Sequence, residues 1–204
     1  VTTANESYWW PIGSREATDG NIYGGTPSSV TVSSPYGPRT IQGVSSYHKG
    51  IDISATCNDN VVIATKAGTV IEASDTCPSY GEYQDTCGGG YGNYVIIDHG
   101  DGTSSVYAHM YSETVAVSVG DTVEQGQMLG MVGSSGSSTG CHLHFEIRVN
   151  DSQVDPLQYI SADNPRPVLR DILVDAGSND EGGQQAVCQA LLALSLIHTD
   201  AADE

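Results

Sequence analysis

Six histidines stand in this 204-residue chain: His48, His99, His109, His142, His144 and His198. In the run His142-Leu143-His144-Phe145-Glu146-Ile147 a strand alternates its faces. His142, His144 and Glu146 then share one polar face, while Leu143, Phe145 and Ile147 share a core face. Two imidazoles on neighbouring same-face positions can aim at one point. His48-Lys49-Gly50-Ile51-Asp52 supplies a second pair, a histidine and a carboxylate four apart, with Gly50 permitting a tight bend between them. Two histidines and one carboxylate are a usual ligand set for catalytic zinc, which leaves a position for water. Zinc lowers the pKa of that water and polarises a carbonyl. His109 is the candidate free base, able to take a proton from water and return it to a leaving amine.

The elements that must position these residues read as strands. Val30-Thr31-Val32 looks like a strand ended by the turn Pro35-Tyr36-Gly37-Pro38. Further strands are expected at Val61–Thr65, Gly68–Ala73, Tyr94–Asp98, Ser104–His109, Thr114–Val117, Met128–Val132 and His142–Val149. No helix-period segment interrupts them, so the expected class is all-β, a sandwich or barrel. Residues 1–162 are assigned to this domain. Residues 163–204 read as a linker rich in Gly, Ser and acids, then a helical tail or the start of a truncated module. In that tail Val187, Leu191, Leu194 and Ile197 fall on one helical face.

Charge narrows the partners. Seven Lys and Arg stand against 25 Asp and Glu, a net charge of −18. Such a surface repels phosphate backbones and anionic lipid headgroups, so nucleic acid and membrane surfaces are excluded as expected partners. No apolar run reaches the roughly 18 residues of a spanning helix. The chain opens Val1-Thr2-Thr3-Ala4 with no Met and no basic stretch, so a mature or excised form is expected. Of the five cysteines, Cys77 and Cys87 bracket a loop of Gly, Tyr and acids, which a disulfide would staple. No CxxC spacing exists to make a cysteine zinc site.

Taken together, these residues resemble the LytM/lysostaphin-type zinc metallopeptidases, which cleave peptidoglycan and carry an HxxxD and a later HxH. The likeness runs from Ser33-Ser34-Pro35-Tyr36-Gly37-Pro38-Arg39 and His48-Lys49-Gly50-Ile51-Asp52 through Gly90-Tyr91-Gly92-Asn93-Tyr94 and Tyr107-Ala108-His109. It continues through Val119-Gly120-Asp121, Gly133–His144 and Asp155-Pro156, and covers roughly residues 9–160. It implies an all-β, two-sheet antiparallel sandwich or barrel-sandwich hybrid, the lysostaphin-like duplicated hybrid motif, and one zinc ion. His48, Asp52 and His144 match the zinc ligands, and His109 and His142 match the two histidines that assist the water and the oxyanion. Tyr107 and Asn93 are implied as substrate-side polar groups, whereas His99 matches a structural turn and His198 has no counterpart.

If both motifs converge on one zinc, Cys57 and Cys141 come close enough to bridge. The resemblance further implies a peptidoglycan partner, a monomer, and an extracellular or cell-wall setting, bacterial or phage. The acidic insertion Glu72–Gly89 departs from the family and would alter which stem peptide enters. A catalytically silent hydrolase activator is the rival reading within the family. A biotinyl-type carrier, to which Val119–Gly130 is similar, lacks the lysine it would need at the hairpin tip.

Overall fold

The computed structural model of the chain describes residues 8–13, 30–39 and 46–160. The expected tail helix and His198 lie outside them, as does Cys188. The strands are β1 (Ile12–Gly13), β2 (Thr31–Ser34), β3 (Gly37–Pro38), β4 (Tyr47–His48), β5 (Ile51–Ser54), β6 (Val61–Ile63) and β7 (Gly68–Ser74). They continue as β8 (Asn93–Asp98), β9 (Thr103–Met110), β10 (Thr122–Val123), β11 (Met128–Met131), β12 (His142–Val149) and β13 (Ser152–Val154). Two 3-10 turns, Cys87–Gly90 and Pro156–Gln158, are the helical content of the described residues. All-β architecture is therefore correct, and the sheets are antiparallel and do not close into a barrel.

The large sheet has the order β10-β7-β8-β9-β12-β5-β2, with β13 also pairing β12. A three-stranded sheet runs β1-β6-β11, and β3 pairs β4 as a small ribbon. Val62 and Leu129 of the small sheet meet Ile53, Val95, Tyr107, Leu143, Phe145 and Ile147 of the large one in a single core cluster. Each such side chain, fully buried, contributes about 1.5–3 kcal/mol.

β12 is the central strand for function. Its Leu143, Phe145 and Ile147 are fully buried in the core, as strand alternation requires. The opposite face carries His142, His144 and Glu146. β5 lies on one side of β12 with Asp52 directly opposite His144, and β9 lies on the other with Ala108 opposite His144. Paired residues share a face, so the register alone brings Asp52 beside His144.

One expected strand did not form. Residues 114–117 are irregular. The Asp75 carboxylate accepts the backbone N–H groups of Glu113 and Val115 at 2.9 and 3.2 Å, so a side chain takes what a ladder would otherwise use.

Both disulfides are present. Cys57–Cys141 ties the turn after β5 to the residue before β12 across a sequence separation of 84. In the chain-entropy picture such a closure stabilises by roughly 4–5 kcal/mol. Cys77–Cys87 staples the acidic insertion across a separation of 10.

Candidate metal centre

His48, at the end of β4, is buried, and its Nδ1–H donates to the Pro35 carbonyl at 2.9 Å. A carbonyl only accepts, so the Nε2 of His48 carries a lone pair. The Nε2–H of His144 donates to Glu146 Oε1 at 3.1 Å, which leaves its Nδ1 with a lone pair. These two nitrogens lie 3.0 Å apart, and Asp52 Oδ1 is 3.0 Å from each. Three lone-pair atoms thus converge, and only a cation can sit among them. His48, Asp52 and His144 form a group able to hold a metal ion, with ligand atoms within 4.8 Å of one another.

Electrostatics agree with a cation-seeking cluster. Burial alone would raise the Asp52 pKa, but the His144 and His48 imidazoles beside it, able to share a proton with it when no metal is bound, outweigh burial and hold the carboxyl well below the usual range. Burial opposes charge on His144, but Asp52 and Glu146 push the imidazole up to about 9, so without a metal a proton on Nδ1 takes the place of the cation, and a bound metal would displace it. The outer oxygen of Asp52 lies 3.5 Å from Arg39 Nη1.

Gly50 lies between the two β4–β5 ligands for reasons of space. A Cβ there would stand 2.2 Å from the Phe145 carbonyl oxygen, so the turn presses backbone to backbone against β12. This close approach, rather than a conformation open only to glycine, is what requires the residue. Gly50→Ala is expected to destabilise the protein by about 1–3 kcal/mol through overpacking. Calorimetry reads this as a lower melting temperature, and an unchanged melting temperature would refute the close-approach argument.

His109 reaches the site through a β-bulge. Between paired positions Asn93↔Met110 and Val95↔Tyr107, β8 advances two residues while β9 advances three. His109 has φ of +63°, a left-handed conformation that costs a non-glycine residue roughly 1–2 kcal/mol. Bulges of this kind re-aim side chains beside active sites. Tyr107 and Met110 accordingly both face the core, and His109 between them turns to the metal face. Its N–H donates to the Tyr91 carbonyl at 2.8 Å and its Nδ1–H to the Ser135 carbonyl at 2.7 Å. Nε2 is left as an acceptor. Burial above all, then the charges of His142 and His144, push His109 down to about 3, so it is neutral at physiological pH.

His142 stands beside it, ring centroids 4.7 Å apart. Its Nδ1–H donates to the Gly140 carbonyl at 2.8 Å, and its Nε2 lies 3.7 Å from Asp52 Oδ1. Burial lowers its pKa as well. The five expected residues therefore meet at one place. They line a cavity of about 610 Å³ together with Tyr91, Glu146, Ser138 and others.

Two expected substrate-side residues do not belong there. Tyr107 is fully buried, and its hydroxyl lies 2.8–2.9 Å from Thr65 and Ser105. It stands two residues from His109, and the bulge turns the two to different faces. Asn93 is also fully buried. Its Oδ1 accepts from the Cys77 N–H at 2.8 Å and its Nδ2 donates to the Cys77 carbonyl at 2.9 Å. It anchors the stapled insertion and does not meet the cavity. His99 bonds the Ala67 carbonyl and Ser105 at a turn, as expected of a structural residue.

Three other residues carry weight that the motifs alone did not assign. Glu146 is fully buried, and its Oε1 accepts the Tyr91 hydroxyl at 2.6 Å as well as His144. Its Oε2 accepts from Arg148 Nε and Nη2, each at 2.9 Å. Burial raises the Glu146 pKa, but His144 above all, with Tyr91 and Arg148, brings it to about 2. The alternation of β12 was the available signal, since 142, 144, 146 and 148 share one face.

Comparison with known proteins follows the same lines. Residues 46–156 match peptidase family M23, more than half of the chain, and the chain belongs to that family. It is similar to the DD-carboxypeptidase/endopeptidase Mpg of Neisseria meningitidis, at 36% identity over 141 residues, 68% of this chain and 28% of that protein. It is also similar to the murein hydrolase activator NlpD of Escherichia coli, at 37% identity over 113 residues, 55% of this chain and 26% of that protein. Among solved structures, the catalytic domain of the antimicrobial peptidase lysostaphin from Staphylococcus simulans superposes with a TM-score of 0.53 at 29% identity. That match covers 63% of this chain and 90% of the lysostaphin domain, so the fold is lysostaphin-like. The chain spans about a quarter to a third of the length of the curated relatives it matches. Among the described residues no helix is long and apolar enough to cross a membrane.

Proposed function

We propose that the protein is a zinc-dependent endopeptidase that hydrolyses peptide bonds in bacterial peptidoglycan cross-bridges or stem peptides. The observation that carries this reading is the convergence of His48, Asp52 and His144 on one point beside His109 and His142, whose Nδ1 atoms are held by backbone carbonyls and whose Nε2 atoms make no hydrogen bond among the described residues. His48, Asp52 and His144 would hold one zinc ion, with Glu146 and the Pro35 carbonyl orienting the two imidazoles. When bound, zinc supplies a Lewis acid that acidifies water and polarises a carbonyl.

The chain's own residues do the remaining work. His109, neutral and held through Nδ1, accepts the proton of the attacking water at Nε2. A ring protonated in this way becomes a donor, so the proton can pass to the leaving amine. His142, its Nδ1–H held by the Gly140 carbonyl, would have to take up a proton at Nε2 before donating it to the developing oxyanion. The peptidase names of Mpg and lysostaphin support the reaction class. The murein hydrolase activator NlpD supports the wall as the setting. Two disulfides fit an oxidising compartment, outside the cytoplasm or at the wall.

The test is digestion of purified peptidoglycans of several cross-link types, with and without a zinc chelator, read by mass spectrometry. Chelator-sensitive release of new peptide termini is expected and would name the bond. No products from any wall, together with no bound zinc, would overturn the reading in favour of a hydrolase-activating domain.

A further inference from the structure

The distribution of charge around the cavity is opposite to that of the chain. With 25 acidic residues against seven basic ones, an arbitrary groove on this protein should be acidic. Among the described residues only Asp52 and Glu146 bring carboxylates to the cavity, and both are engaged, by His48 and His144 and by His144 and Arg148 respectively. The cations lining the same cavity are Arg39 and Lys49. The described cations of the chain are four, Arg39, Lys49, Lys66 and Arg148. Lys66 pairs with Asp101 away from the cavity, and the other three stand in or against it.

The stapled insertion follows the same rule. Its Tyr83 and Gln84 line the cavity, whereas its acids Glu82 and Asp85 do not. Among the described residues Arg39 is held by Ser34 Oγ and Asp52 through Nη1, and its buried Nε has no hydrogen-bond partner. Lys49 is exposed and has no ion pair among the described residues. A guanidinium that lines the cavity and is held only at 3.2 and 3.5 Å through Nη1 among the described residues, and an ammonium without an ion pair there, both beside the ligand pair His48 and Asp52, form a receptor for an anion. The cavity is the site of peptide hydrolysis in the function given above, so the anion is a carboxylate of the peptide.

We propose that the groove selects peptides bearing a free carboxylate near the bond to be cleaved, read by Arg39 and Lys49. This rests on the peptidase reading and adds a substrate class to it. The carboxylate could be the C-terminus of the peptide or a side carboxylate, as on a γ-linked glutamate. Either presents two oxygens to a guanidinium fork.

The probe is the pentapeptide L-Ala–γ-D-Glu–L-Lys–D-Ala–D-Ala, prepared as the free acid, with the C-terminus amidated, with the glutamyl α-carboxylate amidated, and with both amidated. Binding to the zinc-loaded His109→Ala protein is measured by calorimetry. Amidation of one of the two carboxylates is expected to weaken binding about tenfold or more, the usual effect of losing a hydrogen bond to a charged group. The arm that responds identifies the carboxylate. Added Lys49→Gln or Arg39→Gln is expected to shrink the difference between acid and amide. Zinc content is measured in both, because Arg39 also touches Asp52. Equal binding of acids and amides, an undiminished difference in zinc-replete Lys49→Gln and Arg39→Gln proteins, or no binding of any of the four peptides overturns the proposal. Wall digestion reads the peptidase function separately, since chelator-sensitive cleavage without carboxylate preference leaves that function standing.

Discussion

His109→Ala is expected to bind zinc like the parent protein and to cleave about 10²–10⁴-fold more slowly. Asp52→Ala is expected to lose both zinc and activity. The contrast follows from what each group touches. Asp52 Oδ1 is one corner of the 3.0 Å triangle with His48 and His144, so its removal leaves two imidazoles to hold the ion. His109 is outside that triangle, its Nδ1 tied to Ser135 and its ring 5.9 Å from that of His144. Because His109 has a left-handed backbone, His109→Asn is the useful second variant, asparagine being among the residues that adopt that conformation most readily. Zinc content by elemental analysis and cleavage rates on the same preparations decide the matter. Full activity in His109→Ala would remove His109 from the base role.

Glu146→Gln is expected to weaken zinc binding about 10–100-fold, the usual consequence of removing a carboxylate behind a ligating histidine. The variant keeps a carbonyl oxygen that can still accept the His144 Nε2–H, so ring orientation survives while the negative charge goes. Arg148 then loses both its contacts to an anion. Breaking a buried pair costs about 3–5 kcal/mol, and the low end applies here because Arg148 reaches solvent. Replacing Arg148 by Met in the same chain removes the orphaned charge. The double variant is therefore expected to regain stability without regaining zinc affinity. Competition with a chromogenic chelator measures the affinity, and denaturant unfolding measures the stability. Parent-like zinc affinity in Glu146→Gln would show that the carboxylate only packs.

The sequence left β12 fully legible. Period-two alternation placed Leu143, Phe145 and Ile147 in the core and the two histidines opposite, and the strand spans His142–Val149 as expected. The same rule failed at β9, because a bulge adds a residue that no local pattern announces. Its cause is a left-handed histidine, whereas sequence reading looks for glycine at such positions. Tyr107 was expected on the substrate side from the family resemblance, and it lies in the core, separated from His109 by that bulge. Asn93 was misplaced because polarity in a loop motif says nothing of which backbone the amide satisfies. Both cysteine pairs were legible, one from its loop and the other from the convergence of two motifs. Glu146 was on the right face from the start, and only the contacts of its carboxylate give it a role.

The position of β12 between β5 and β9 bears on when the centre comes into being during synthesis. His48 and Asp52 leave the ribosome roughly ninety residues ahead of His144, and domains fold as their chains emerge. The third residue of the proposed ligand set arrives only when residues 142–149 pair with β5 and β9, both synthesised earlier. A nascent chain, or one clipped ahead of Cys141, carries two of the three residues of that set and lacks the carboxylate of Glu146. The metal centre is thus a product of finished folding, and completion of one strand is the event that arms it.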